Sequence, residues 1–342
     1  MTNKNNNNCL ILNFWCCRNY GAILTCYGIY LLTKKIGLNS KVIKFFPKNF
    51  FERNYENSFT QDFANKYMEL TPQVQTDNDF IELNNFANIF IAGSDQIWNP
   101  KIARTHHENV SDGIYQLDFV SNENKKIAFS ASFGVDYFNG EDEEKEKFAQ
   151  RIKKIDAISV REDTGIKILQ NDFNTPATQI IDGAFLIPQT KLEELTITNE
   201  TEKYIGCFTL PYYKDKIWYL NHLEKISKKY GLPIKQLSFD QTTPVEEWLS
   251  FIKNSQLIIS DSYHAIVFSI IFNKPFIQLQ NALAQSRFES LYKLLNINPI
   301  VLSEESKNPD FFEIINNNWD KVNEKIKQEV QKAEIWLINS IK

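Results

Sequence analysis

The sequence is poor in the features that mark several classes of protein. It carries no excess of positive charge: 38 Lys and Arg stand against 42 Asp and Glu, for a net charge of -4 and a pI near 5.7. That balance argues against a surface that neutralises a nucleic-acid backbone, so neither DNA nor RNA is an expected partner. Long apolar runs are also missing. The opening MTNKNNNN is polar where a secretory signal needs an apolar stretch, and the most apolar later run, near residues 265–272, is too short to cross a bilayer. A cytoplasmic location is expected. The five cysteines (Cys9, Cys16, Cys17, Cys26 and Cys207) form neither a CxxC pair nor a dense disulfide framework, and are expected to be free buried thiols. His106 and His107 sit in a polar loop without a spaced third ligand, so they are expected to be exposed, and the chemistry to need neither metal nor bound cofactor. No repeat at solenoid spacing occurs.

What is present is apolar bulk. Hydrophobic residues make up 43% of the chain, with 26 Phe and 14 Tyr, enough to build substantial cores. At 342 residues the chain exceeds what one core normally serves, and two α/β lobes are expected. CLILNF, KVIKFF, NIFIAG, KKIAFSASFG, AISV and TQIIDG read as strands, alternating with helices such as AILTCYGIYLLTKKIG, EDEEKEKFAQRIKKI and DTGIKILQN. Residues 47–85 show no clear periodicity. The charged stretch PQTKLEELTITNETEK, residues 188–203, reads as a linker. Beyond it YIGCFTL, IKQLSF, LIIS and PFIQL read as strands between further helices. The expected division is therefore an N-terminal lobe over 9–187, a C-terminal lobe over 204–315, and a long helix over 316–342. Trp319, Val322, Ile326, Val330, Ala333, Trp336, Leu337 and Ile341 give that helix one apolar stripe. Its lysines read as a solvated face, although a basic amphipathic helix also suits peripheral contact with an anionic membrane surface.

In open parallel sheets ligands sit beyond the carboxyl ends of the strands. Five polar clusters fall there: Asn19-Tyr20-Gly21, GSDQIWN at 93–99, Ser130 to Gly134, Arg161-Glu162-Asp163, and SDSYH at 260–264. Ser, Asp and Asn are ordinary helix caps, which alone could account for Ser94, Asp95, Asp163 and Ser262. Capping does not account for Arg161 at the end of a buried strand, nor for His264 in the first turn of an apolar helix, because desolvated side chains of these types need partners. His264 is either a functional group or a hydrogen-bonded core histidine.

The series NYGAILTCYGIYLL, IAGSDQIWN, FSASFG, ISVREDTG, IIDGAFLI, ISDSYHAIVFSIIFNKPFI and SRFESLYKLLNI, spread over residues 10–297, resembles the polysaccharide pyruvyl transferase family in content and order. The resemblance implies two Rossmann-like α/β lobes in a GT-B-like arrangement with the active site in the inter-lobe cleft. It implies phosphoenolpyruvate as donor and a sugar, on a lipid or free, as acceptor, joined as a pyruvate ketal in surface polysaccharide or capsule assembly. Departures from the pattern are Tyr263 and Ala265 beside His264, and Asp182-Gly183 where the family has Asp-Pro.

Phosphoenolpyruvate needs fork-shaped cations for its phosphate and carboxylate, which Arg161 and Arg287 could supply together with Ser262, Tyr263 and His264. His264, whose unperturbed imidazole titrates near 6.5, suits the general acid, while Glu162 or Asp95 could deprotonate or orient the acceptor. By the resemblance, Asn19, Tyr20, Gly21, Ser94, Asp95 and Ser132 face the acceptor. The structural alternative for Arg161 and Arg287 is an ion pair between lobes. Two other functions fit the same fold: a glycosyltransferase using a nucleotide sugar, and a non-catalytic glycan-binding protein. Against the first, no Glu lies between Glu247 and Glu289 to hold a donor ribose. Against the second, Arg161, His264 and Arg287 are all present.

Overall fold

The computed structural model describes residues 7–16, 18–46, 58–104, 110–199, 201–211, 217–238, 243–281, 285–306 and 318–342. His106 and His107, and with them the reading of that loop, lie outside these residues, as does Cys17. The chain forms two compact units, one comprising residues 1–187 and 328–342, the other 188–327.

The first unit opens with β1 (Asn8–Leu12), α1 (Tyr20–Lys35) and β2 (Asn39–Phe45). Helix α1 starts where the Asn19 side chain accepts from the Gly21 and Ala22 amides at 3.0 and 3.2 Å, and it ends before Gly37, whose φ of +88° no branched residue would adopt readily. Of its 16 residues 13 are buried, so it is apolar all round rather than amphipathic. There follow α2 (Phe59–Tyr67), β3 (Leu70–Val74), α3 (Asp77–Glu82), β4 (Ile89–Asp95), α4 (Pro100–Ala103), β5 (Lys125–Ala131), α5 (Asp142–Ile152), β6 (Ala157–Val160), α6 (Asp163–Phe173) and β7 (Thr178–Gln179). The region 58–85 thus holds a helix, an edge strand and a second helix where periodicity gave no signal. Pro72 in β3 is tolerated because the strand borders only β2.

The strands form one parallel sheet in the order β3-β2-β1-β4-β5-β6-β7. The chain moves outward from β1 to β3 and then returns to place β4 beside β1. The β1/β4 pair is therefore the topological switch point, where the loops leaving neighbouring strands run in opposite directions.

The second unit begins with α7 (Gln189–Leu195), a short helix within the stretch that composition reads as linker; its Leu192 and Leu195 are buried three residues apart. Then come β8 (Ile205–Thr209), α8 (Trp218–Tyr230), β9 (Ile234–Ser238), α9 (Val245–Asn254), β10 (Leu257–Ser260), α10 (Tyr263–Ile271), β11 (Phe276–Leu279), α11 (Gln285–Leu295) and β12 (Ile300–Leu302). This sheet is also parallel, in the order β12-β11-β10-β8-β9, and its switch point lies between β8 and β10.

The last helix, α12 (Trp319–Ile341), buries Val322, Ala333 and Leu337 of its apolar stripe. Its final turns belong to the first unit, where Glu334 pairs with Lys35 at 2.5 Å and the Trp336 ring meets Phe129 at 5.9 Å. Among the described residues no helix is long and apolar enough to cross a membrane.

Candidate active site

Each unit carries a polar cluster on the carboxyl edge of its sheet. In the first unit the ends of β1 and β4 are tied by Asn13, whose side chain donates to the Gly93 carbonyl at 2.7 Å. Gly93 has a φ of +138°, and a Cβ there would lie 2.0 Å from the Phe129 carbonyl oxygen, so strands β4 and β5 approach this closely only with glycine at 93. Asp95 follows with a φ of +70°, a left-handed conformation that Asp tolerates better than most residues. Ser130, at the matching end of β5, also has positive φ, and its hydroxyl donates to the carbonyls of Ile180 and Ile181, both at 3.1 Å.

Arg161 directly follows β6 on this edge and is 3% exposed. Its Nε donates to Glu162 at 2.6 Å, one terminal nitrogen to Asp182 at 2.7 Å, and the other to the Ser132 hydroxyl at 3.1 Å. Ser132 in turn donates to the same Glu162 oxygen at 2.7 Å. Asp182 also accepts from the Ala184 amide at 2.8 Å and from Thr25 of α1 at 3.4 Å. Asp95 reaches Arg161 only as an ion pair at 3.6 Å. Arg161, Glu162, Ser132, Asp95 and Asp182 are thus one buried network inside the first unit, and the guanidinium directs its fork at carboxylates of its own chain.

The other residues expected from the sequence to face an acceptor are built into the same unit. Asn19 caps α1, Tyr20 stacks on Phe59 with ring centres 4.5 Å apart, and Ser94 donates to the Ser130 carbonyl at 2.9 Å.

In the second unit the two ends of the switch point are joined by Asp261, whose carboxylate accepts from the Leu210 amide at 2.9 Å. Its carbonyl accepts from the Asn281 side chain at 3.1 Å, linking β10 to the end of β11. This accounts for an acid between two apolar runs: it replaces the ladder hydrogen bonds that end with the strands. Ser262 then caps α10, accepting from the Ala265 amide at 3.4 Å, which places His264 in the first helical turn, 7% exposed. The Tyr263 ring gathers the remaining groups: His264 sits edge-on at 5.1 Å, Phe288 at 5.6 Å, and the half-buried Arg287 guanidinium lies over its face at 5.6 Å. Ser262, Tyr263, His264 and Arg287 therefore converge.

Comparison with known proteins decides the family. The family model described as polysaccharide pyruvyl transferase matches residues 19–281, well over half of the chain. The chain belongs to the polysaccharide pyruvyl transferase family. No individual curated protein matched it. Solved structures of similar fold include the UDP-GlcNAc 2-epimerase from Neisseria meningitidis bound to UDP-GlcNAc, 11% identical over 97% of this chain and 98% of that one, with a TM-score of 0.55. The S. aureus MnaA–UDP structure is 9% identical over 93% and 90%, at a TM-score of 0.53. Arabidopsis thaliana UGT89C1 complexed with UDP-L-rhamnose is 8% identical over 98% of both chains, at 0.52. These likenesses show the fold: this pyruvyl transferase family member is an α/β protein of the GT-B class, built from Rossmann-like units.

Three polar residues of these clusters carry no expectation from sequence. Asn13 and Asn281 are buried asparagines just past strand ends, a position that can be read once the strands are bounded, whereas the partnership of Asp182 with Arg161 joins residues 21 apart and leaves no local signal.

Proposed function

We propose that the protein transfers the enolpyruvyl group of phosphoenolpyruvate to two hydroxyls of a sugar, forming a pyruvate ketal for a surface polysaccharide. The observation that carries this reading is the grouping of His264 and Arg287 around Tyr263 at the switch point of the second sheet. An imidazole, the side-chain type most often used as general acid and base, stands beside a guanidinium suited to phosphate or carboxylate. His264 gives a proton to C3 of the enol, and C2 becomes cationic. One sugar hydroxyl bonds to C2 and loses its proton. The C2–O bond to phosphate then breaks, phosphate leaves with the electron pair, and the second hydroxyl closes the ring as its proton returns to His264. Arg287, with Ser262 and Tyr263, holds the donor anion; the polar edge of the first unit receives the acceptor.

The test is phosphate release from phosphoenolpyruvate over a panel of acceptor glycans. His264→Ala should lower turnover by about 10²- to 10⁴-fold, the usual size of general acid–base catalysis. Equal phosphate release by the variant would remove His264 from the reaction. UDP-GlcNAc serves as the control donor, because solved proteins of this fold hold UDP-sugars; transfer from it without phosphoenolpyruvate would favour a glycosyltransferase, and no turnover with either donor a glycan-binding protein.

A further inference from the structure

The network at the edge of the first sheet sets three carboxylates around one guanidinium. Asp95, Glu162 and Asp182 have side chains 7%, 2% and 0% exposed, and Arg161 pairs with all three. The three acids are not equivalent. Glu162 takes two short hydrogen bonds on one oxygen, from Arg161 and Ser132. Asp182 takes three, from Arg161, Ala184 and Thr25. Asp95 takes none from the described residues; its only contact with the cation is the 3.6 Å approach. It is the most exposed of the three, and it is held with a φ of +70° at the end of β4, one of the two strands flanking the switch point. Glu162 follows β6, two strands further along the sheet.

The geometry points to Asp95, not Glu162, as the group that receives the proton of the acceptor hydroxyl, with Arg161 as a positioning residue that holds the cluster together and contributes nothing to binding the donor. A buried carboxylate held by two or three hydrogen bonds gives them up only at a cost, whereas one with none from the described residues beside a cation is stabilised only in part and is available to a hydroxyl. As the sugar oxygen forms its bond to C2, its proton passes to Asp95 and leaves later to solvent. For Arg161 to bind phosphoenolpyruvate it would have to abandon two buried carboxylates, leaving them unpaired. This assignment rests on the pyruvyl-transfer reading.

The experiment compares Asp95→Asn, Asp95→Gly, Glu162→Gln, Asp182→Asn and Arg161→Lys with the parent protein by calorimetry and by phosphate release. Asn and Gly are chosen at position 95 because both accept the left-handed backbone. Asp95→Asn should melt within about 2 °C of the parent or above it, since it removes an excess buried charge and no hydrogen bond, while Glu162→Gln and Asp182→Asn should lose roughly 6 °C or more. Its turnover should fall by about 10²-fold or more with the KM for phosphoenolpyruvate unchanged. Formate should restore Asp95→Gly at least about tenfold and should do nothing for Glu162→Gln, because only a missing proton acceptor can be supplied from solution. Arg161→Lys should lower kcat without raising that KM.

An Asp95→Asn protein as destabilised as Asp182→Asn, an Asp95→Gly protein that formate does not restore, or an Arg161→Lys protein whose defect lies in the KM for phosphoenolpyruvate would each overturn the assignment while leaving pyruvyl transfer in place. A parent protein that releases no phosphate with any acceptor overturns the transfer reading itself.

Discussion

At the scale of single residues, the side chains that capping could not explain proved to be those with dense surroundings. Arg161 was legible as needing partners, and one of them, Glu162, is its neighbour in sequence; the other, Asp182, arrives through the fold. The cysteines show the same logic from the apolar side. Cys9, Cys16, Cys26 and Cys207 are all buried and free. Burial pushes the Cys9 thiol up to about 12, with a smaller opposing influence from the neighbouring Ser40 hydroxyl, and burial together with the Asp261 charge does the same to Cys207. An unfolded thiol ionises near 8.5, so between about 8.5 and 12 the folded protein retains protons that the unfolded chain has lost. Stability must then fall as pH rises across that window, by roughly 1.4 kcal/mol per thiol per pH unit, and be independent of these groups below it. Urea unfolding at pH 7.5 and 9.5 checks this: Cys9→Ala and Cys207→Ala should each lose less stability between the two pH values than the parent. Equal losses would mean that the thiols ionise in the folded state as they do in the unfolded one.

At the scale of elements, legibility followed burial pattern and length. Helix α1 was readable because its apolar residues run unbroken to a glycine stop, and β8, β10 and β11 because their short apolar runs are bounded by polar turns. Helices α2 and α7 bury only a few residues each, Phe59, Thr60, Phe63 and Ala64 in one and Leu192 and Leu195 in the other, too few for a period to emerge. What no pattern announces is the contact between elements. Gly28 of α1 and Gly183, in the short 3-10 turn after Asp182, face one another so closely that a Cβ on Gly28 would sit 1.9 Å from the Gly183 carbonyl oxygen. Backbone cannot give way as a flexible side chain can. Gly28→Ala should therefore lose about 1–3 kcal/mol, overriding the roughly 1 kcal/mol that alanine normally gains over glycine inside a helix. The turn it displaces carries Asp182, so turnover should fall with the melting temperature. A Gly28→Ala protein that melts at or above the parent temperature would show that α1 can shift to make room.

At the scale of the whole molecule, sequence alternation gave two α/β units but not their strand orders. Those depend on which earlier strand each new one joins, a choice made by packing rather than by any local run. The two orders differ, yet in both the chain reverses direction across its sheet once, and in both the pair of strands at the reversal ends in cross-links between polar groups: Asn13 to Gly93 in the first, Asp261 to Leu210 in the second. If donor recognition belongs to the second unit and acceptor chemistry to the first, as proposed, the two should separate by substitution. Titration of phosphoenolpyruvate alone into the protein, followed by calorimetry, tests this without an acceptor. Arg287→Met removes a charged hydrogen-bonding fork, and at about 1.5–3 kcal/mol for such a contact the affinity should drop roughly 10- to 150-fold. Arg287→Lys keeps the charge but not the planar stacking on Tyr263 or the two-pronged geometry, and should fall between the two. Asp95→Asn should bind phosphoenolpyruvate within about twofold of the parent, because on the proposed division its network does not hold the donor. If Arg287→Met bound as tightly as the parent while Asp95→Asn did not, the donor and acceptor roles would be exchanged between the units.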